Sequence, residues 1–299
     1  MIEYDPHDWR SHLFDIRGSL VREIFSRVLT CLAWTGFVVA LFHWQGFLLP
    51  KFQWQLADHF TISPALHGML GFSIGLLLVF RTNSSYDRFW EGRKLWGGMV
   101  NQSRNLARLA CVHLARDSSL RNELVRWNIA FVYACKDRLR GKPTLIHAAD
   151  RLPPLEWKAA VAMPNLPLEI ARRMSLSLKR GAELGLLSEI MLAHLDQQVN
   201  LLIDYQGGCE RIHKTPLPFA YMVHLRRVLL LYLFTLPFAL YRDFGLITIF
   251  ATGCVAFIFL GIEEIGVEIE DPFEAEDNDL PLEAICATIE RDLSALIGE

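Results

Sequence analysis

The residues from Ser63 to about Leu114 decide the fold: Ser63-Pro64-Ala65, then LHGMLGFSIGLLLVF at 66–80 and RTNSSYDRFWEGRKLW at 81–96. Ser63 offers a hydroxyl N-cap, and Pro64 takes the first helical position, where a missing N–H costs nothing. The next proline is Pro143, so one long helix is permitted. Residues 66–80 carry no formal charge, and the character flips at Arg81. A helix that passes from an apolar medium into a polar one reads this way.

Two faces can be drawn on the apolar part. Phe72, Leu76 and Phe80 recur at i, i+4 and i+8 and project along one side. Gly68, Gly71, Ser73 and Gly75 are small, and Gly71 with Gly75 forms a GxxxG pair of the kind that lets helices in lipid approach closely. On spacing alone, the large residues read as core or lipid-facing packing.

The 299 residues are 52% hydrophobic and 21% charged with a net charge of −3, and the charges are segregated along the chain. That pattern argues for an integral membrane part joined to a substantial aqueous part. The near-neutral total gives no footprint for nucleic acid. Six scattered cysteines without a CxxC suggest neither a zinc site nor a disulfide framework, so they are expected to be reduced. The polar N-terminus, MIEYDPHDWRSHLFDIRGSLVREIF, lacks the form of a cleavable signal.

Four spans are expected: Phe25 to about Leu49, Leu66–Phe80, Val228–Leu240 and Leu246–Ile262. The second and third fall short of the roughly 20 residues that a lone helix needs, which points to an oligomer that covers their flanks. Arginines and lysines gather before spans one and three and after span two, whereas the 43–65 and 241–245 loops hold only Lys51 and Arg242. Under the positive-inside rule both termini and the 81–227 region are cytoplasmic, with Trp44, Trp54 and Tyr241 at the outer interface. The expected organisation is a cytoplasmic segment 1–24, membrane helices in 25–80, a cytoplasmic helical region 81–227, membrane helices in 228–262, and an acidic segment with a C-terminal helix in 263–299.

The fold class is all α. Helical periodicity runs from Tyr86 to Leu139, resumes at Leu168–Arg180, and returns from Leu187 to about Ile212, while no segment sustains period-two alternation. Five prolines between 143 and 167 indicate short helices and loops there. An acidic run, from Glu263 to Asp279, is either a solvated turn or a divalent-cation site, and it lacks EF-hand spacing. No GxSxG, HExxH, Walker loop or GxGxxG is present, and the spans lack paired ionisable residues near their middles, so no enzyme is indicated.

Three strings in order, RTNSSYDRFWEGRKLWG (81–97), GGCERIHKTPLPFAY (207–221) and IEDPFEAEDNDLPL (269–282), resemble the bestrophin family, particularly its bacterial branch. The resemblance extends to Gly18-Ser19 and through nearly the whole chain. It implies a homopentameric ion channel of the bacterial inner membrane, with four membrane helices per subunit around one pore. It places Phe72, Leu76 and Phe80 in a hydrophobic neck that gates by dewetting. It puts Asn83 and Ser84 in contact with ions entering the vestibule, and Ile190 at a second, cytoplasmic aperture. In animal members the acidic stretch forms a calcium clasp, whose positions match Glu268, Asp271, Glu276 and Asp279. Here Glu274-Ala275 and Asn278 depart from that pattern, which leaves calcium or another divalent cation in doubt. Two phenylalanine rings lean the selectivity towards anions such as chloride. A sodium-type channel of the same architecture is the alternative, and a non-conducting membrane-anchored signalling or scaffold protein is the rival from another class.

Overall fold

A computed structural model describes residues 20–44, 62–142 and 152–298. Most of the 1–24 segment, including Gly18-Ser19, together with Lys51, Trp54, the end of the first expected span and Pro143, lies outside the described residues. Among the described residues all regular structure is helical, with no strand. By length and composition, three helical runs suffice to cross a membrane: Val21–His43, Pro64–His113 and Phe219–Glu268. The chain is thus a membrane protein with an all-α fold.

Chain contacts divide the fold into two compact units, one holding the described residues up to Arg88 with Pro216–Glu270, the other Phe89–Thr215 with Asp271–Glu299. Helix α1 is Val21–His43, and α2 is the single 50-residue helix Pro64–His113. It starts where the Ser63-Pro64 signal places it, and the Ser63 carbonyl accepts from His67 N at 3.0 Å.

In the first unit, α1 and the N-terminal part of α2 pack with α7 (Phe219–Phe244) and α8 (Thr248–Glu268). A three-residue 3-10 turn, Gly245–Ile247, joins α7 to α8, and Gly245 enters it at φ 52°, where a side chain would be strained. Arg226 near the start of α7 pairs at 2.9 Å with Glu263 near the end of α8, so the two helices run antiparallel as a hairpin. By contrast α1 and α7 run parallel, since Trp34 stacks on Phe234 and, two turns on along α1 and one along α7, Phe42 meets Phe238. Ile24, Ile74, Leu78, Leu229, Leu233 and Leu260 form the buried core.

The third expected span, Val228–Leu240, proves to be the middle of a 26-residue helix, and the fourth extends to Glu268. The expected spans end at charged residues, and the helices run on past them. Some of those charges are paired in place: Glu263 takes Arg226, and Arg27 reaches both Glu263 and Glu264. The helices therefore continue through them.

In the second unit, the rest of α2 packs with α3 (Ser118–Leu139), α4 (Pro154–Val161), α5 (Leu166–Glu183), α6 (Glu189–Lys214) and α9 (Leu282–Ile297) around Trp96, Trp127, Phe131, Leu202 and Ile289. The helical pattern expected over Tyr86 to Leu139 is divided between two helices, the first ending at His113, close to the Leu114 limit of the opening stretch. Asp117 restarts the helix, its carboxylate accepting from Leu120 N at 3.0 Å. Helices α2 and α6 touch closely: a side chain at Gly208 would begin 2.8 Å from Leu95.

Glu210 is the polar centre of this unit. It accepts from Arg138 Nε at 2.6 Å, Lys214 Nζ at 2.6 Å and Gln206 Nε2 at 2.8 Å. Burial pushes its carboxyl up, but the three donors outweigh burial and hold the pKa at about 2. The native pKa is depressed below the unfolded value, so the stabilisation is complete above the usual Glu range and is lost as pH falls towards 2. We expect Glu210→Gln to lower the melting temperature at pH 7 and to shrink that difference as pH drops from about 4.5 towards 2. Melting curves across that range check it.

Candidate functional site

Helix α2 presents two unlike faces in the first unit. Ile74 and Leu78 are 2% and 1% exposed, and Arg81 and Ser85 follow them into the interior. On the other side Phe72, Leu76 and Phe80 are 77%, 47% and 55% exposed. Three large apolar side chains thus form a stripe that the chain's own core does not take up. Stripes of this size on one molecule mark a surface awaiting a partner or an apolar medium.

The buried face is held along its length. The His67 ring stacks on Tyr232 at 4.3 Å. A side chain at Gly71 would begin 2.6 Å from the Tyr232 hydroxyl, so glycine is what lets α7 approach there; Gly75, its GxxxG partner, faces open space. Further along α2, the Tyr221 hydroxyl donates to the Leu77 carbonyl at 3.0 Å.

At the end of the apolar stretch stands Arg81, fully buried. Its Nη2 lies 3.5 Å from Glu270 Oε2, and its Nη1 meets the Met222 sulfur. Gly266 makes the room: a side chain there would begin 2.7 Å from Arg81 Nε. Glu270 also accepts from Leu217 N at 2.9 Å, and its backbone carbonyl accepts from Arg88 Nε at 2.9 Å. A guanidinium buried next to Phe80 therefore fixes α2 to the segment before α7 and to the end of α8. This anchor was not read from the sequence. Its signal was an arginine immediately after an uncharged run, together with the glutamates of the third matching string.

Asn83 and Ser84 are exposed on the turn after Phe80. The Ser84 hydroxyl donates to the Phe80 carbonyl at 2.9 Å, as Ser73 does to Met69 at 3.0 Å. Such bonds satisfy hydroxyls inside the helix and suit an apolar surrounding.

Ile190, in the second unit, stands in the first turn of α6, whose N-cap Ser188 accepts from Met191 N at 3.3 Å. It is 83% exposed while Leu187 and Leu195 around it are buried. Like the α2 stripe, it is an apolar side chain turned out of its own fold.

The acidic residues are largely engaged with the chain itself. Asp271 accepts from Phe273 N at 3.2 Å and pairs with His213 Nδ1 at 2.7 Å. Asp279 is buried and accepts from Glu276 N at 2.7 Å. Burial raises its pKa to about 6, and the neighbouring Glu276, Glu274 and Asp271 charges add to the rise. Glu276 is exposed, and Glu268 is partly buried at the end of α8. Among the described residues, no group of three or more His, Cys, Asp or Glu side chains is arranged to hold a metal ion.

Comparison with known proteins places these features in context. A family model described as Bacterial/Fungal Bestrophin protein matches residues 1–295. A voltage-dependent anion channel-forming protein of Nostoc sp. (strain PCC 7120) is 39% identical over 294 residues, covering 96% of this chain and 91% of the relative. The voltage-dependent anion channel-forming protein YneE of Escherichia coli (strain K12) is 34% identical over 299 residues, covering 100% of this chain and 95% of the relative. Among solved structures, a bacterial bestrophin homologue from Klebsiella pneumoniae superposes with a TM-score of 0.83 at 30% identity, covering 92% of this chain and 99% of that one.

Proposed function

Because this chain belongs to the bacterial and fungal bestrophin family, we propose that it is an anion channel of the bacterial cell membrane, formed by five copies whose α2 helices surround one pore. The observation that carries this reading is the exposed stripe Phe72, Leu76 and Phe80 on a helix whose opposite face is clamped into the fold. Relatives along the whole chain named as anion channel-forming proteins support the choice of ion.

Each subunit crosses the bilayer four times in this reading, the α7–α8 hairpin counting as two crossings. The basic residues flanking the spans favour cytoplasmic termini. Five phenylalanine or leucine side chains at each of three levels make apolar collars. An ion stripped of water in such a collar has no polar partner, so a narrow neck is dry and closed. Widening lets ions pass hydrated. Ring edges carry partial positive charge, and phenylalanine edges turned to the axis favour anions. Asn83 and Ser84 meet ions leaving the neck, and five copies of Ile190 form a second apolar constriction.

The test is a bi-ionic reversal potential on purified protein in a planar bilayer, with chloride and sodium gradients opposed. The expected potential follows chloride. A potential that follows sodium assigns a cation channel of the same build. Absence of any current, together with ligand-dependent thermal stabilisation, assigns a signalling or scaffold protein. Native mass spectrometry checks assembly, with the main species expected at five times 34.2 kDa.

A further inference from the structure

The second unit carries two matching rows on its surface. On α2, Lys94, Asn101 and Arg108 recur every seven residues and are all exposed; on α6, Ile190, Gln197 and Asp204 do the same. The opposite sides of both helices are buried in one core, with Trp96, Leu106 and Ala110 on α2 and Leu195, Val199 and Leu202 on α6. The two rows therefore share one face of the unit.

The two helices run antiparallel in a fixed register. Leu95 meets the Gly208 position, Tyr205 meets the Gly98 position, and Gln102 Nε2 donates to Gln198 Oε1 at 2.5 Å. Further on, Leu114 and Leu187 close together over Gly181. Arg108 and Ile190 both lie between these last two levels, about one turn apart along the axis.

Within its own subunit Arg108 faces no carboxylate. It has no hydrogen bond or ion pair among the described residues. Beyond Glu91 no acid occurs on α2. Asp292 of α9 is taken by Arg104 Nε at 3.0 Å, and Asp196 of α6 by the Ser175 hydroxyl at 2.5 Å. Ala193 and His194, one turn on from Ile190, bring no carboxylate, and Glu189 is turned about 100° around α6 from Ile190, out of the row. Lys94, by contrast, shares its end of the face with Asp204, whose neighbour Tyr205 is level with Gly98.

We propose that Arg108 is the anion-selecting residue of the Ile190 constriction. Five guanidiniums around the axis draw in small anions and repel cations at a level where the apolar collar itself has no charge. Rings of arginine or lysine act this way in anion pores, and a charge counts most where low-dielectric walls confine its field. The inference deepens the channel reading above and rests on its placement of Ile190.

The test is the chloride-to-sodium permeability ratio of reconstituted protein, wild type against Arg108→Gln, Arg108→Glu and Arg108→Lys. At about 0.1 M salt Arg108→Glu is expected to lower the ratio roughly tenfold, Arg108→Gln to lower it less, and Arg108→Lys to keep it. At about 1 M salt the screening length falls from about 10 to about 3 Å, so these differences should shrink, which a merely structural defect would not do. Lys179→Gln on α5, an exposed lysine paired with Glu183, is the control and should leave the ratio unchanged. Should Arg108→Glu fail to assemble, Arg108→Gln and Arg108→Lys decide the matter. A ratio unchanged in Arg108→Gln and Arg108→Glu, or lowered equally in Arg108→Lys, overturns the role of Arg108 and leaves an anion channel standing. A wild-type ratio that favours sodium, or no current at all, overturns the channel reading and this inference with it.

Discussion

Replacing Phe72, Leu76 and Phe80 together by alanine is expected to raise anion flux through the reconstituted protein by roughly tenfold or more. Each about 1.4 kcal/mol removed from a barrier is a factor of ten, and three apolar collars are opened at once. The substitution is mild for folding, because the three side chains are exposed in the chain and alanine is a better helix former than phenylalanine. Vesicle flux assays check it, with Phe250→Ala on α8 as the control, since Phe250 is just as exposed but lies on another helix. Unchanged flux in the triple variant, in protein that conducts at all, would remove these side chains from the pore.

The second large effect concerns Arg81. Arg81→Met keeps most of the side-chain volume but leaves Glu270 without its buried partner. Breaking a buried pair from one side costs about 3–5 kcal/mol. We expect a fall of that order in stability, seen as a lower melting temperature and reduced yield of assembled protein. Adding Glu270→Gln removes the orphaned charge and should restore much of the loss, because the two sites are coupled. If Arg81→Met melts like wild type, the arginine does not anchor the end of the apolar stretch.

Adjacent residues in the sequence carry much of this fold, and contacts between distant ones carry the rest. Ser63-Pro64 marked the start of α2 because capping is a property of adjacent residues. The all-α fold followed from periodicity, and the family from three separated strings. The break before α3 is only half legible: the opening stretch ends near Leu114, but the apolar period continues on both sides of the capping sequence Asp117-Ser118-Ser119. Helices α7 and α8 run past the expected spans for a different reason. A hydropathy window stops at Arg226 or Glu263, but their costs cancel only through a contact between residues 37 positions apart, which no local window sees. The stripe on α2 was legible as a spacing, yet whether it faced inward depended on Ile74 and Leu78 occupying the core instead. Ile190 was reached only through the resemblance, since its own neighbourhood reads as ordinary helix.

The pairing of Arg81 with Glu270 also imposes an order on biosynthesis. The arginine leaves the ribosome 189 residues ahead of the glutamate. At about 5–20 residues per second, the nascent chain waits roughly ten to forty seconds with that guanidinium unmatched. During the interval α2 has its apolar stretch but not its lock, which forms only once translation has passed Glu270. Nascent chains arrested before residue 270 should accordingly remain at the insertion machinery as substrates for quality-control proteolysis, whereas chains arrested just beyond it should escape.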